Sequence, residues 1–188
     1  MSRQSEWWSG ATGDSYHTRN QVDWQLRVSF FKHVLEVTGA RSVLEFGCGP
    51  GWNLTAIRHA EPMVCVEGVE INEIAGNQAA DCGLTVSNDL ELPPRAELVF
   101  TAGCLIHIPP ADIEETMRSL IDKSYKYVMS IEYENPRPLE IEYRGEAGLL
   151  WKRPYIEMYK SMGLTLIETG VLQDDQGFDN CRYGLLTK

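Results

Sequence analysis

The sequence predicts an α/β fold, with helices on both faces of a mostly parallel, seven-stranded sheet whose last strand is antiparallel. Three observations predict it. Short apolar runs alternate with helical patterns along most of the 188 residues, the signature of a parallel sheet. Gly47, Gly49 and Gly51 follow one strand-like run directly, and a helical pattern begins at Trp52. The last two strand-like runs, 164–171 and 182–187, have only a loop between them and form an antiparallel edge.

The elements follow in order. Residues 5–20 carry adjacent tryptophans, Trp7 and Trp8, then a glycine-rich joint, then Tyr16, Arg19 and Asn20. Tyr16 and Arg19 are three apart and share a face of a helix. This segment reads either as a lid over the glycine turn or as an arm packing its aromatics on the core. A helix over 22–37 has Trp24, Val28, Phe31, Val34 and Leu35 near helical spacing, and Gly39 stops it. The first strand spans 41–46, the next helix 52–59, and Pro62 turns the chain into a second strand within 63–71. A helix over 72–81, a strand over 84–87 and a strand over 96–102 come next. Two prolines precede a helix over 111–120, and suit its first turn. The fifth strand is 125–133. Residues 136–148 have no clear period and read as an active-site loop, followed by a helix over 149–161. The sequence contains no internal repeat, and its length is that of one domain.

The glycine turn selects among nucleotide ligands. Glycine accepts φ > 0 and lets a ligand approach the backbone, and a strand, a glycine turn and a helix N-terminus form the nucleotide corner of an open parallel sheet. A dinucleotide fingerprint wants G-x-G-x-x-G/A, but its last position here is Trp52, and the third glycine comes one residue early at Gly51. Glu45, two residues before Gly47, would repel a pyrophosphate. It suits a ligand with an ammonium group and no phosphate, such as S-adenosylmethionine. Cys48, inside the turn, contributes its backbone. About 20 residues on, Glu70 ends the second strand, where an acid can accept from both ribose hydroxyls.

Composition bounds the partners. The formal charge of −10 discourages nucleic acid and anionic membranes. The five cysteines form no C-x-x-C pair, so no zinc site or disulfide framework is indicated and no metal is expected. No apolar run reaches the roughly 18 residues of a membrane span, and no apolar h-region follows the start, which predicts the cytoplasm. The oligomeric state is open.

Glu45, the glycine turn and Glu70 together resemble class I S-adenosylmethionine-dependent methyltransferases. The resemblance implies a Rossmann-like three-layer sandwich. Asp89 follows the third strand, where in this fold an acid often meets the adenine amino group; a turn-forming role is the other reading. The resemblance extends the cofactor set to Asn53, Ile71, Leu90, Ala102 and Gly103, and Arg19 could bind the cofactor carboxylate from the lid. More specific stretches are Gly13-Asp14-x-Tyr16-x-x-Arg19-Asn20, the run from Leu98 to Ile108, and Glu132-Tyr133-x-Asn135-Pro136 followed by Tyr143-Arg144-Gly145. With Leu149-Leu150-x-Lys152-Arg153 they are similar to the pseudaminic acid biosynthesis-associated methylases. Glu146 departs from the basic or small polar residue expected after Gly145, which bears on the acceptor.

Two readings stand for His107: a base for an acceptor hydroxyl, or a residue that only packs and positions. Glu132, Tyr133, Tyr143 and Arg144 are candidates for the acceptor pocket, and Arg144 suits an anionic group through bidentate contacts. Arg137, Arg144, Lys152 and Arg153 concentrate basic charge after the fifth strand. The expectation is methyl transfer to a small anionic acceptor such as a sugar or nucleotide-linked sugar. The alternatives are a protein or RNA methyltransferase, and a catalytically silent cofactor-binding subunit.

Overall fold

The computed structural model describes residues 3–188; residues 1 and 2 of the expected 1–20 lid, and the Arg3 side chain, lie outside the description. The sheet has seven strands: β1 Ser42–Phe46, β2 Cys65–Val69, β3 Thr85–Ser87, β4 Ala96–Ala102, β5 Ser124–Glu132, β8 Thr165–Leu172 and β9 Cys181–Thr187. Their spatial order is β3-β2-β1-β4-β5-β9-β8. The first five are parallel, while β9 runs antiparallel to both its neighbours. The antiparallel strand therefore lies between β5 and β8, and β8 forms the edge. A tight return from β8 can place β9 only beside it and opposed to it, and the gap against β5 receives it.

The described residues also form seven α-helices: α1 Arg3–Ser9, α2 Ala11–Arg19, α3 Val28–Thr38, α4 Trp52–Ala60, α5 Glu73–Asp81, α6 Ile113–Lys123 and α7 Tyr155–Ser161. Side chains alternate across a strand, so β1 feeds two cores. Val43 packs with Phe31 and Val34 of α3 and Leu54 and Ile57 of α4 on one face. Leu44 packs with Met117 and Leu120 of α6 and Tyr155 and Tyr159 of α7 on the other. Fully burying one such side chain is worth about 1.5–3 kcal/mol.

Three expected elements differ. The helix over 22–37 begins as a 3₁₀ turn at Trp24–Arg27, because Asp23 Oδ1 accepts the Gln25 N–H and tightens the start. Residues 136–148 are not a loop: β6 Leu139–Tyr143 and β7 Glu146–Lys152 form an antiparallel hairpin. The 149–161 helix is correspondingly shortened to α7. Leu149 and Trp151 are the buried side of β7, and Pro154 resets the chain before α7.

The order of chain connection reverses at β1. Its neighbours are β2 on one side and β4 on the other, which is where open α/β sheets bind ligands, beyond the strand carboxyl ends.

Candidate functional site

A cavity of about 640 Å³ lies at that edge, within the range of small-molecule sites. One wall is the turn after β1. Gly47 and Cys48 donate N–H bonds to Val69 O at 2.8 and 3.0 Å, which ties the turn to the end of β2. Gly49 N–H donates to Glu70 Oε2 at 2.7 Å, and Asn72 N–H to Glu70 Oε1 at 2.7 Å. Gly47, Gly49 and Gly51 all have positive φ. A Cβ on Gly47 would lie 2.4 Å from Cys104 Sγ, and one on Gly51 would lie 2.2 Å from Leu84 Cδ1. Gly51 is thus needed for packing against Leu84 and α5 and does not line the cavity.

Glu45 sits on this wall, 1% exposed. Its Oε1 accepts from Asn53 Nδ2 at 2.6 Å, while Oε2 is buried without a partner. Burial pushes the carboxyl up to about 8, against the Asn53 bond and the Arg27 charge, which favour ionisation. Arg27 donates to Asn53 Oδ1 at 2.7 Å and twice to Gly177 O, at 2.9 and 2.6 Å. A hydrogen-bonded chain therefore runs from the loop after β8 to the cavity. Burial also holds the Glu70 carboxyl above its ordinary value.

The opposite wall is the N-terminal pair α1 and α2. Gln4, Ser5, Trp8, Tyr16 and His17 line the cavity from this pair. Asn72 fastens it: Nδ2 donates to Trp8 O at 3.0 Å and to Asp14 Oδ1 at 2.8 Å, while Oδ1 caps α5 at Ala75 N. Gly13 lies in this joint, where a Cβ would fall 1.9 Å from Trp8 O. The segment lines the cavity and packs Trp8 on His107.

The third wall is the turn after β4, a 3₁₀ turn at Leu105–His107. Glu132, 0% exposed, accepts N–H bonds from Cys104 and Leu105 at 3.1 and 3.0 Å and from Ile106 at 3.4 Å. Arg153, 3% exposed, donates to Leu105 O at 3.2 Å and Ile108 O at 2.8 Å. One residue holds the donors of the turn and the other its carbonyls. His107 Nδ1 donates to Leu149 O at 2.8 Å, since a carbonyl can only accept, and this leaves Nε2 unprotonated. Burial lowers the His107 pKa to about 4, so the ring is neutral at neutral pH. The ring packs against Trp8 at 4.3 Å and Tyr143 at 5.5 Å, between centroids.

Of the residues singled out in the sequence, Tyr16, Glu45, Gly47, Cys48, Gly49, Asn53, Glu70, Ile71, Asp89, Leu90, Ala102, Gly103 and His107 line the cavity. Asp89 Oδ1 also accepts from Glu91 N at 2.9 Å, which makes it a turn former as well. Besides Gly51, five others lie elsewhere. Arg19, at the C-terminal end of α2, is exposed and outside the lining. Glu132 has its oxygens committed to the His107 turn. Tyr133 donates to Asp179 Oδ2 at 3.0 Å, behind the cavity. Tyr143 backs His107 without lining the cavity, and Arg144 is exposed at the hairpin tip with φ of 57°. Sequence reasoning missed His17, Trp8, Asn72, Arg27 and Arg153 as parts of the site. Only Asn72 carried a signal, as an N-cap residue type directly after Glu70. Among the described residues no cluster of side chains could hold a metal ion, and no helix is long and apolar enough to cross a membrane.

No protein-family model matches the sequence, and no curated protein matches it. Solved structures do. The magnesium protoporphyrin IX methyltransferase ChlM of Synechocystis PCC 6803, with bound S-adenosylhomocysteine, aligns with TM-score 0.74 at 15% identity over 98% of this chain and 97% of that one. The 1,6-didemethyltoxoflavin-N1-methyltransferase of Burkholderia thailandensis gives TM-score 0.72 at 14% identity, over 94% and 83% of the two chains. The sugar N-methyltransferase KedS8 of Streptoalloteichus sp ATCC 53650 gives 0.67 at 15%, over 96% and 93%. The chain has the Rossmann-like fold of class I S-adenosylmethionine-dependent methyltransferases.

Proposed function

We propose that the chain is an S-adenosylmethionine-dependent methyltransferase acting on a small acceptor, with residues 1–188 as one catalytic domain in the cytoplasm. The observation that carries this reading is Glu45, a buried carboxyl on the cavity wall whose Oε2 has no partner. A ligand ammonium group would satisfy that oxygen and draw the carboxyl into its ionised form. A pyrophosphate carries no donor for that oxygen and would oppose its ionisation. Glu70 uses one lone pair of each oxygen on backbone N–H groups and keeps others for ribose hydroxyls. Asp89 and Leu90 suit the adenine end. When bound, S-adenosylmethionine supplies an electrophilic methyl group.

The chain's own task is then to hold the acceptor in line, which can lower a barrier by roughly 7–11 kcal/mol. His107 offers an unprotonated Nε2 that can accept a proton from an acceptor hydroxyl. General-base help is worth about 10²- to 10⁴-fold, but a ring with a pKa of about 4 is a weak base, so positioning is its larger contribution. Trp8 and the hairpin behind His107 exclude water from that side.

For the acceptor, the similarity to pseudaminic acid biosynthesis-associated methylases supports a sugar or nucleotide-linked sugar in that pathway. Solved neighbours named for a sugar and for toxoflavin substrates agree with a small molecule. The basic patch is smaller than its sequence suggests, because Arg153 is buried in the turn. An anionic acceptor would therefore meet Arg144, at the hairpin tip beside Tyr143. Nucleic acid and anionic membranes remain disfavoured by the net charge. The test is methyl transfer from labelled S-adenosylmethionine into a fractionated cell extract, with label expected in small molecules. Label confined to protein or RNA would overturn the small-acceptor reading, and no transfer with intact cofactor binding would favour a silent binding subunit.

A further inference from the structure

The amino-acid end of S-adenosylmethionine carries a carboxylate beside its ammonium group, and Glu45 can serve only the ammonium. Among the described residues that line the cavity there is no lysine or arginine. Arg19, the expected partner of the carboxylate, is exposed and outside the lining. His17 is not. It is 6% exposed, lines the cavity, and its Nδ1 is buried without a partner. Its ring lies over the glycine turn: a Cβ on Gly49 would fall 3.2 Å from His17 Cε1 and 3.5 Å from Nδ1. A buried nitrogen with no partner is costly, and here it stands at the turn the proposed ligand occupies.

We propose that His17, brought over Gly49 by α2, is the residue that binds the cofactor carboxylate through Nδ1. The inference rests on the cofactor reading above. It turns the N-terminal pair from a passive cover into part of the binding site, because Asn72, which fastens Trp8 and Asp14, also holds α2 and with it His17 in place. It also divides the ligand's charges between two elements: the ammonium goes to β1 and the carboxylate to the lid. Among the described residues that line the cavity, the other unpartnered donor, Trp8 Nε1, belongs to a ring packed on His107 and lies toward the acceptor side. Burial lowers the His17 pKa and Asp14 opposes this, so the free ring is neutral and a bound carboxylate would favour its charged form.

The test compares two probes by calorimetry: S-adenosylhomocysteine, and 5′-methylthioadenosine, which lacks the amino-acid end. His17→Phe keeps a ring under the lid and removes the nitrogen, and His17→Asn keeps a neutral donor. His17→Phe should weaken S-adenosylhomocysteine roughly 10- to 100-fold, the range of a charge-assisted hydrogen bond, and leave methylthioadenosine within about twofold. His17→Asn should recover part of the loss. Equal losses for both probes would reduce His17 to lid packing and overturn the proposal, as would no loss for either. Binding of neither probe by the wild-type chain would remove the cofactor reading itself, and this proposal with it.

Discussion

The two sides of the cavity are built differently. The turn between β1 and α4 belongs to a short stretch of chain and is locked by backbone bonds: Gly47 and Cys48 to Val69, and Gly49 to Glu70. The facing side gathers α1, α2, the His107 turn and the β6–β7 hairpin from opposite ends of the sequence. The α1–α2 part of it is held to the body by few ties: Asn72 to Trp8 and Asp14, Gln4 Nε2 to Gly148 O at 2.7 Å, and rings resting on rings. A side made of regular backbone bonds opens only when the sheet does. A side made of a few side-chain bonds can open alone, at a small fraction of the global stability. On the proposed reading, the difference separates a rigid grip on the cofactor from a cover that can admit it.

The comparison can be broken most severely on the rigid side. Gly49→Val puts a branched side chain at φ of 53° with its Cβ 3.2 Å from His17 Cε1, so S-adenosylhomocysteine binding should fall at least about 100-fold by calorimetry. Unchanged affinity would mean that this turn does not hold the ligand.

A pH series separates the sides next. Glu45 and Glu132 are pushed up to about 8 and about 7. Folding thus prefers their neutral forms, and this contribution is complete below the unfolded carboxyl range and lost as pH rises through the folded values. His17 and His107 shift the other way and contribute nothing new above their unfolded value near 6.5. From pH 6.5 to 8.5, ligand-free stability should therefore fall, by up to about 1.4 kcal/mol per pH unit for each responding carboxyl. S-adenosylhomocysteine should remove the Glu45 share and spare that of Glu132. A melting temperature flat over this window would refute the buried neutral carboxyls.

On the cover side, Asn72→Ser keeps an oxygen for the α5 cap and deletes the bonds to Trp8 and Asp14. Hydrogen exchange of α1 and α2 should rise about tenfold or more while the sheet stays protected, at a global cost of about 1 kcal/mol. Equal exchange in both proteins would make Asn72 a cap and nothing else. Gly13→Ala, with its Cβ 1.9 Å from Trp8 O, should loosen the same segment by a different route. The smallest effect is expected from Arg144→Ala at the exposed tip. Melting should shift negligibly, cofactor affinity should hold, and KM for an anionic acceptor should rise several-fold, as expected for loss of one partner's binding. An unchanged KM would remove the charge argument for the acceptor.

How much of this was legible follows the same division. The glycine turn, Glu45, Glu70 and the seven strands were readable because each is written in a local pattern: alternation, helical spacing, glycine at positive φ, an acid at a strand end. The hairpin was not, since residues 136–148 show no clear period and pairing between β6 and β7 decided their structure. Nor was Arg153, whose basic side chain reads as surface charge until the carbonyls of residues 105 and 108 enclose it. His17 and Arg19 stand two residues apart on one short helix, and sequence chose Arg19 by its charge. The docking of α2 through Gly13 and Asn72 turned His17 to the cavity and Arg19 to water. By itself the sequence determined the strands, their mostly parallel sheet and the acid two residues before the glycine turn, because backbone chemistry and periodicity act between near neighbours. Which polar groups face the cavity and which serve the turn beside it was decided by tertiary packing alone, since such a hydrogen bond depends on a partner 64 or 144 residues away.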